Sequence, residues 1–80
     1  MQSTHIGIWG AVELTKAERE VAVTNALVEL QRQLIEHLDQ AGDDTSSAKV
    51  VFDSLLRSLA LSVSHRQWLR STIRAQASAA

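Results

Sequence analysis

A single glycine, Gly42, separates two long stretches of helix-forming residues. The chain contains no proline, and its other two glycines lie at positions 7 and 10. Because proline and glycine are the residues that most strongly disfavour helix interiors, residues 15–41 and 45–76 are each predicted to form one uninterrupted helix. The sequence therefore predicts an all-α single domain over residues 1–80, with one tight connection between its helices.

The expected helix ends have recognisable capping residues. Thr15 followed by Glu18 fits a capping box, which predicts that the first helix starts at Thr15. Gly42 is placed to end that helix as a left-handed C′ residue. Either Asp44 or Thr45 can cap the second helix, and both alternatives stay open at this point.

Apolar residues of the first helix form two rows. One row advances in steps of three and four residues: Val23, Leu27, Leu30, Leu34, Leu38 and Ala41. The other repeats every seven residues: Val21, Val28 and Ile35. The first row is predicted to pack on the second helix, with His37 as a polar interruption, and the second row to widen the apolar face to one side.

The second helix carries one main apolar row. Its members are Ala48, Phe52, Leu55, Leu59, Val63, Leu69 and Ile73. A short connection between two long helices predicts an antiparallel hairpin. The expected contacts pair Leu34 with Phe52, Leu27 with Leu59, and Val23 with Val63. Since two helices cannot cover such broad apolar faces, we expect two hairpins to dimerise into a four-helix bundle.

Residues 1–14 are predicted to form an extended N-terminal arm, because Gly7 and Gly10 disfavour a helix there. The arm could cover the bundle's apolar surface, bind a partner on contact, or attach to a membrane surface, although it is short for that and has no lysine nearby. Leu61 and Trp68 lie off the main row of the second helix, seven residues apart. The predicted partner-binding residues are Ile6, Ile8, Trp9, Leu61 and Trp68.

The sequence offers little for catalysis or metal binding. It has no cysteine, and its three histidines, His5, His37 and His65, have neither the Glu-x-x-His nor the His-Glu-x-x-His spacing. It also lacks a Gly-x-Ser-x-Gly elbow and a phosphate-binding glycine loop. We therefore predict a small non-enzymatic interaction or regulatory protein without a cofactor or metal, cytoplasmic and without a membrane span.

Three arginines suggest an alternative function. Arg66, Arg70 and Arg74 are spaced four residues apart, so they would form one ridge that could bind the phosphates of a nucleic acid. The chain as a whole is not basic, since nine acidic residues accompany eight basic ones. Pairing of these arginines with acidic residues of the first helix is the competing interpretation. Those acids are Glu13, Glu18 and Glu20.

Residues 31–70 resemble a group of short uncharacterised bacterial helical-hairpin proteins. The resemblance rests on Gln31-Arg32-Gln33-Leu34-Ile35-Glu36-His37-Leu38, on Gly42-Asp43-Asp44-Thr45-Ser46-Ser47-Ala48, and on the series Ser58-Leu59, His65-Arg66 and Leu69. It implies a helical hairpin and no particular activity. The N-terminal segment with Trp9 lies outside it.

Overall fold

Two long antiparallel helices make up the protein. In the computed structural model, α1 spans Gln2–Gln40 and α2 spans Ser46–Ala79. The structure describes the backbone of residues 2–79 and the side chains of residues 9–78. The Cα atoms extend over 61 × 14 × 14 Å, so the molecule is a rod one helix pair thick. The predicted all-α hairpin is confirmed.

The first helix begins much earlier than its capping residues indicated. Residues 2–14 belong to α1, so the predicted extended arm and the predicted start at Thr15 are both wrong. Thr15 lies inside the helix, and its Oγ1 donates a hydrogen bond to the carbonyl oxygen of Ala11 at 2.9 Å. A threonine hydroxyl can bond in this way to the preceding turn, and it then caps nothing.

Gly10 marks a close approach between the helices. A Cβ atom at this position would lie 3.0 Å from Cγ1 and 3.3 Å from Cδ1 of Ile73 in α2. The glycine therefore lets Ile73 pack against the backbone of α1, which offsets its low helix propensity. This contact explains why the helix continues through a residue that we expected to break it.

The end of α1 follows the prediction. Gly42 has a φ of 74°, in the left-handed region, as expected for a C′ residue. Its backbone N–H donates to the carbonyl oxygen of Asp39 at 3.1 Å, and the N–H of Asp43 donates to that of Leu38 at 2.9 Å. These two bonds form a Schellman motif.

Both candidate caps contribute to the start of α2. The carbonyl oxygen of Thr45 accepts the first intrahelical bond, from the N–H of Lys49 at 2.9 Å, which places Thr45 at the N-cap position. The carboxylate of Asp44 accepts bonds from the hydroxyl of Ser46 at 2.7 Å and from its backbone N–H at 2.9 Å. Both bonds lower the pKa of Asp44, and the bond from the hydroxyl lowers it more.

The helices pack along a heptad repeat, in which steps of four and three residues alternate. We call its positions a and d the seam. In α1 the seam residues are Gly10, Leu14, Ala17, Val21, Thr24, Val28, Gln31, Ile35 and Leu38, and in α2 they are Thr45, Ala48, Phe52, Leu55, Leu59, Ser62, Arg66, Leu69 and Ile73. Two contacts fix the register: Gly10 against Ile73, and the hydrogen bond of 3.0 Å from Nε2 of Gln31 to the carbonyl oxygen of Ala48.

This register overturns the predicted helix pairing. Heptad steps from Gly10 and Ile73 place Thr24 opposite Leu59 and Gln31 opposite Phe52, so the pairs Leu34–Phe52, Leu27–Leu59 and Val23–Val63 are wrong. The seam of α1 comes instead from the row that contains Val21. His37, which we expected on the seam, is exposed.

Side-chain size explains the choice between the two rows. Bulky seam residues of α2 such as Leu59 face small or β-branched residues of α1 such as Thr24, which leave room for them. Leucines on both sides would hold the axes further apart. The resulting core is thin: among the described residues, the buried apolar side chains are Ala17, Val21, Ala48 and Leu69.

Candidate functional site

The two long sides of the rod differ in chemistry. At 3.6 residues per turn, the g and c positions are centred about 110° around each helix from the a and d positions. In an antiparallel pair the g positions of both helices lie on the same side of the seam, and the e positions lie on the other. We call the g and c positions of both helices the apolar flank, and the e and b positions the charged flank.

Contacts on each side agree with this assignment. A shallow groove between the helices opens on the apolar flank, where Glu20 and Val23 of α1 lie near Ser58 of α2. On the charged flank, Nη2 of Arg70 lies 3.9 Å from Oε2 of Glu18, so α2 and α1 are linked there by a long ion pair.

Most of the exposed large apolar side chains lie on the apolar flank. Among the described residues they are Trp9, Val23, Leu27, Leu30, Leu34, Val51, Leu61 and Trp68, and those that lie elsewhere are Val12, Val50 and Leu56. Leu30 is 61% exposed and Leu61 is 72% exposed. On small proteins, large exposed apolar patches are commonly interaction sites.

Charged residues are scarce on the apolar flank. Glu13, Lys16 and Glu20 lie on it near the start of α1. From residue 21 to residue 78 it contains no Asp, Glu, Lys or Arg, and its titratable groups there are His37 and His65. The charged flank carries the following residues: Glu18, Glu29, Arg32, Glu36, Asp39, Lys49, Asp53, Arg70 and Arg74. The segregation leaves one side of the rod suited to water and the other suited to a protein surface.

An ion-pair network covers part of the charged flank. Arg32 donates hydrogen bonds to the carboxylates of Glu29 and Glu36, which lie one turn before and after it. The bond from Arg32 is the main cause that lowers the pKa of Glu29. All three side chains are exposed, so the network contributes little to stability and serves mainly to keep this flank hydrated.

The predicted partner-binding residues fall into two groups. Trp9, Leu61 and Trp68 all occupy c positions of the apolar flank and are exposed. The indole of Trp68 stacks on the imidazole of His65, with ring centroids 6.2 Å apart. The side chains of Ile6 and Ile8 lie outside the described residues.

Sequence reasoning missed the centre of this surface. The leucine row of α1 was assigned to the seam, so its exposed residues were not counted among the site residues: Val23, Leu27, Leu30 and Leu34. The available signal was the second row of α1, which has the seven-residue spacing of a seam. Of the two apolar rows on this helix, the one with the seven-residue spacing packs on α2 and the leucine row stays exposed among the described residues.

The predicted arginine ridge does not form. Arg66 occupies a seam position, where it is half-buried and its Nε has no hydrogen-bond partner. Arg70 is exposed and lies near Glu18, and Arg74 is exposed. Only two of the three arginines are therefore available on the surface of α2.

Other types of site are not found in the described part of the chain. No three His, Asp or Glu side chains there converge as ligands for a metal ion. No described helix has a segment with the length and apolarity that crossing a bilayer requires.

Comparisons with known protein families, with curated proteins and with solved structures find no match to this chain. The resemblance to bacterial hairpin proteins therefore stays a prediction. The fold and the surface define the class of this protein, an antiparallel helical hairpin with one apolar and one charged flank.

Proposed function

We propose that this protein is a non-enzymatic interaction module that docks its apolar flank onto another helical surface. The simplest such surface is the apolar flank of a second copy, and two hairpins joined in this way make a four-helix bundle. The observation that carries the proposal is the concentration of exposed leucine, valine and tryptophan on one flank, opposite a flank rich in charge.

The geometry of each helix suits a bundle. In a square four-helix arrangement, every helix packs on two neighbours, so it needs two apolar faces roughly a right angle apart. The seam and the apolar flank are separated by about 110° on both α1 and α2. The contact between α1 and α2 already fills the seam. The apolar flank leaves one further apolar face on each helix, and these two faces can pack on the two helices of a second hairpin.

The area of the flank is sufficient for a stable complex. The long side of the rod measures 61 by 14 Å. Such a face covers about 850 Å² per chain, or roughly 1,700 Å² for two chains, which is the size of a standard specific interface. The exposed leucines at its centre would supply the apolar core of that interface.

Sedimentation equilibrium over a range of protein concentrations tests the proposal. We expect the wild type to show the mass of a dimer in the micromolar range. Leu30→Glu places a charge at the centre of the apolar flank, so it is expected to shift the protein to a monomer. The desolvation of an unpaired carboxylate at such an interface is costly.

Ala26→Glu is the matched control. It introduces the same charge into the same helix at an exposed f position, outside both flanks. This variant should associate like the wild type, and circular dichroism should show unchanged helix content in both variants. A wild type that has the mass of one chain at every concentration, or a Leu30→Glu variant that associates normally, would contradict the proposal.

Nucleic-acid binding, the alternative from the arginine ridge, has weaker support. With Arg66 in the seam, the remaining arginines share the charged flank with acidic residues such as Glu18 and Asp53. If this alternative were correct, Arg70→Ala would weaken binding to random-sequence DNA or RNA at low salt. The absence of any binding at low salt would remove it.

A further inference from the structure

The two hairpins have a preferred arrangement, provided that they self-associate as proposed above. We infer that the second copy docks side by side with the first, with both turns at the same end. The two-fold axis then runs parallel to the helices, so that α1 of each chain lies on α2 of the other. All four neighbouring helix pairs in this bundle are antiparallel.

Side-chain sizes on the apolar flank support this arrangement. The row on α1 is large, with Leu27 and Leu30 at its centre, whereas the row on α2 is small at its centre, with Ser54 and Ser58. The seam register places Leu30 within one residue of the height of Ser54, and Leu27 midway between Ser54 and Ser58. Because the axis is parallel to the helices, both leucines meet this serine segment on the other chain.

Two further levels are also compatible. Lys16 lies at the height of the exposed Trp68, whose indole face can receive an ammonium group by a cation–π interaction. Trp9 lies at the height of Ala75, which again pairs a large residue with a small one. The ammonium group of Lys16, which lies 3.4 Å from Oε1 of Glu13 on the same helix, can therefore also contact an aromatic ring across the interface.

The opposite arrangement fits less well. If the turns lay at opposite ends, α1 would pack on α1 of the other chain, and leucine would meet leucine. The serine rows of the two α2 helices would then face each other across the gap that the leucines hold open. Close packing disfavours such a void, so size complementarity selects the side-by-side form.

A distance measurement between the two turns tests the arrangement directly. The chain has no cysteine, so Asp43→Cys provides a unique site for a nitroxide label at the exposed turn. In the side-by-side dimer, the two labels should lie within about 20 Å, since neighbouring helix axes are 8–10 Å apart. With the turns at opposite ends and the leucine rows superposed, the labels would be about 40 Å apart.

The outcomes separate this inference from the proposed function. A short distance in a protein with the mass of a dimer supports the side-by-side arrangement. A distance near 40 Å in a dimer overturns the arrangement and leaves the docking function intact. A protein with the mass of a single chain and no dipolar coupling overturns both.

A swap of sizes gives an independent test in the unlabelled protein. Leu30→Ala and Ser54→Leu should each raise the dimer dissociation constant at least about tenfold, because one opens a void and the other creates a clash. The double variant should return to within about threefold of the wild type. The control combines Leu30→Ala with Ser64→Leu, which adds the leucine at an exposed f position, and it should show no recovery. Equal recovery in both double variants would contradict the pairing of Leu30 with Ser54.

Discussion

Truncation of Leu69 to alanine measures how much the thin seam contributes to stability. Leu69 is only 1% exposed, the lowest exposure among the large apolar side chains. It lies in the seam one step from the Gly10–Ile73 contact, opposite Leu14. The hairpin has few other buried side chains, so the loss of this one should be measurable in the folding equilibrium.

The expected magnitude follows from the atoms that are removed. Leu69→Ala deletes three carbon atoms, and the lost transfer free energy is about 2.4 kcal/mol at about 0.8 kcal/mol per group. A cavity adds to this cost where the neighbours cannot close it, and measured values for buried leucines span roughly 2–5 kcal/mol. Because the rod is only one helix pair thick, its helices can move together, and we expect a loss of about 3 kcal/mol.

Urea denaturation followed by circular dichroism gives the free energy of unfolding. Leu56→Ala is the control, since it removes the same atoms from the same helix at a position that is 42% exposed on the charged flank. We expect it to cost about 1 kcal/mol. Both variants must be compared at one protein concentration, because the proposed self-association would stabilise the folded state by mass action. A loss for Leu69→Ala no greater than that for Leu56→Ala would refute the assigned seam.

Three further predictions concern the turn and the contact between the helices. Gly42→Ala should lower the free energy of unfolding by about 1 kcal/mol in a urea titration. The added Cβ meets open space, so the loss comes from the φ of 74°, which disfavours an L residue. Gly42→Asn should lose less, because asparagine tolerates this conformation better. The pKa of Asp44 is lowered in the folded state, so its contribution to stability is present above its unfolded pKa of about 3.9 and is lost as the pH falls through the lower folded pKa. Urea titrations from neutral to acidic pH should therefore show a larger loss of the free energy of unfolding in the wild type than in Asp44→Asn. The same pH dependence in both proteins would rule out a contribution from Asp44. Gly10→Leu should cost about 1–3 kcal/mol by crowding Ile73, and adding Ile73→Ala should recover part of the thermal stability, whereas no recovery would place the damage elsewhere.

The apolar flank could be only partly predicted from the sequence. Leu61 and Trp68 were identified because they fall off the main row of α2, and both lie on the apolar flank. Arg66 was assigned to an exposed ridge because its spacing to Arg70 is helical, although four-residue spacing does not reveal how far a residue is turned toward the seam. That orientation depends on the register of the two helices, which no local pattern encodes.

The sequence by itself determined the parts of the fold that depend on local interactions. The absence of proline, the left-handed preference of Gly42 and the capping oxygens near Asp44 are properties of neighbouring residues, so they predicted two helices, one turn and its position. The tertiary structure decided the start of α1 and the identity of its seam. Gly10 is tolerated in the helix because Ile73 packs against it. The row of Val21 rather than the leucine-rich row of Val23 faces α2, because its small and β-branched residues leave room for the bulky residues of α2. Both rows of α1 have the periodicity of a packing face, and steric fit across the seam selects between them.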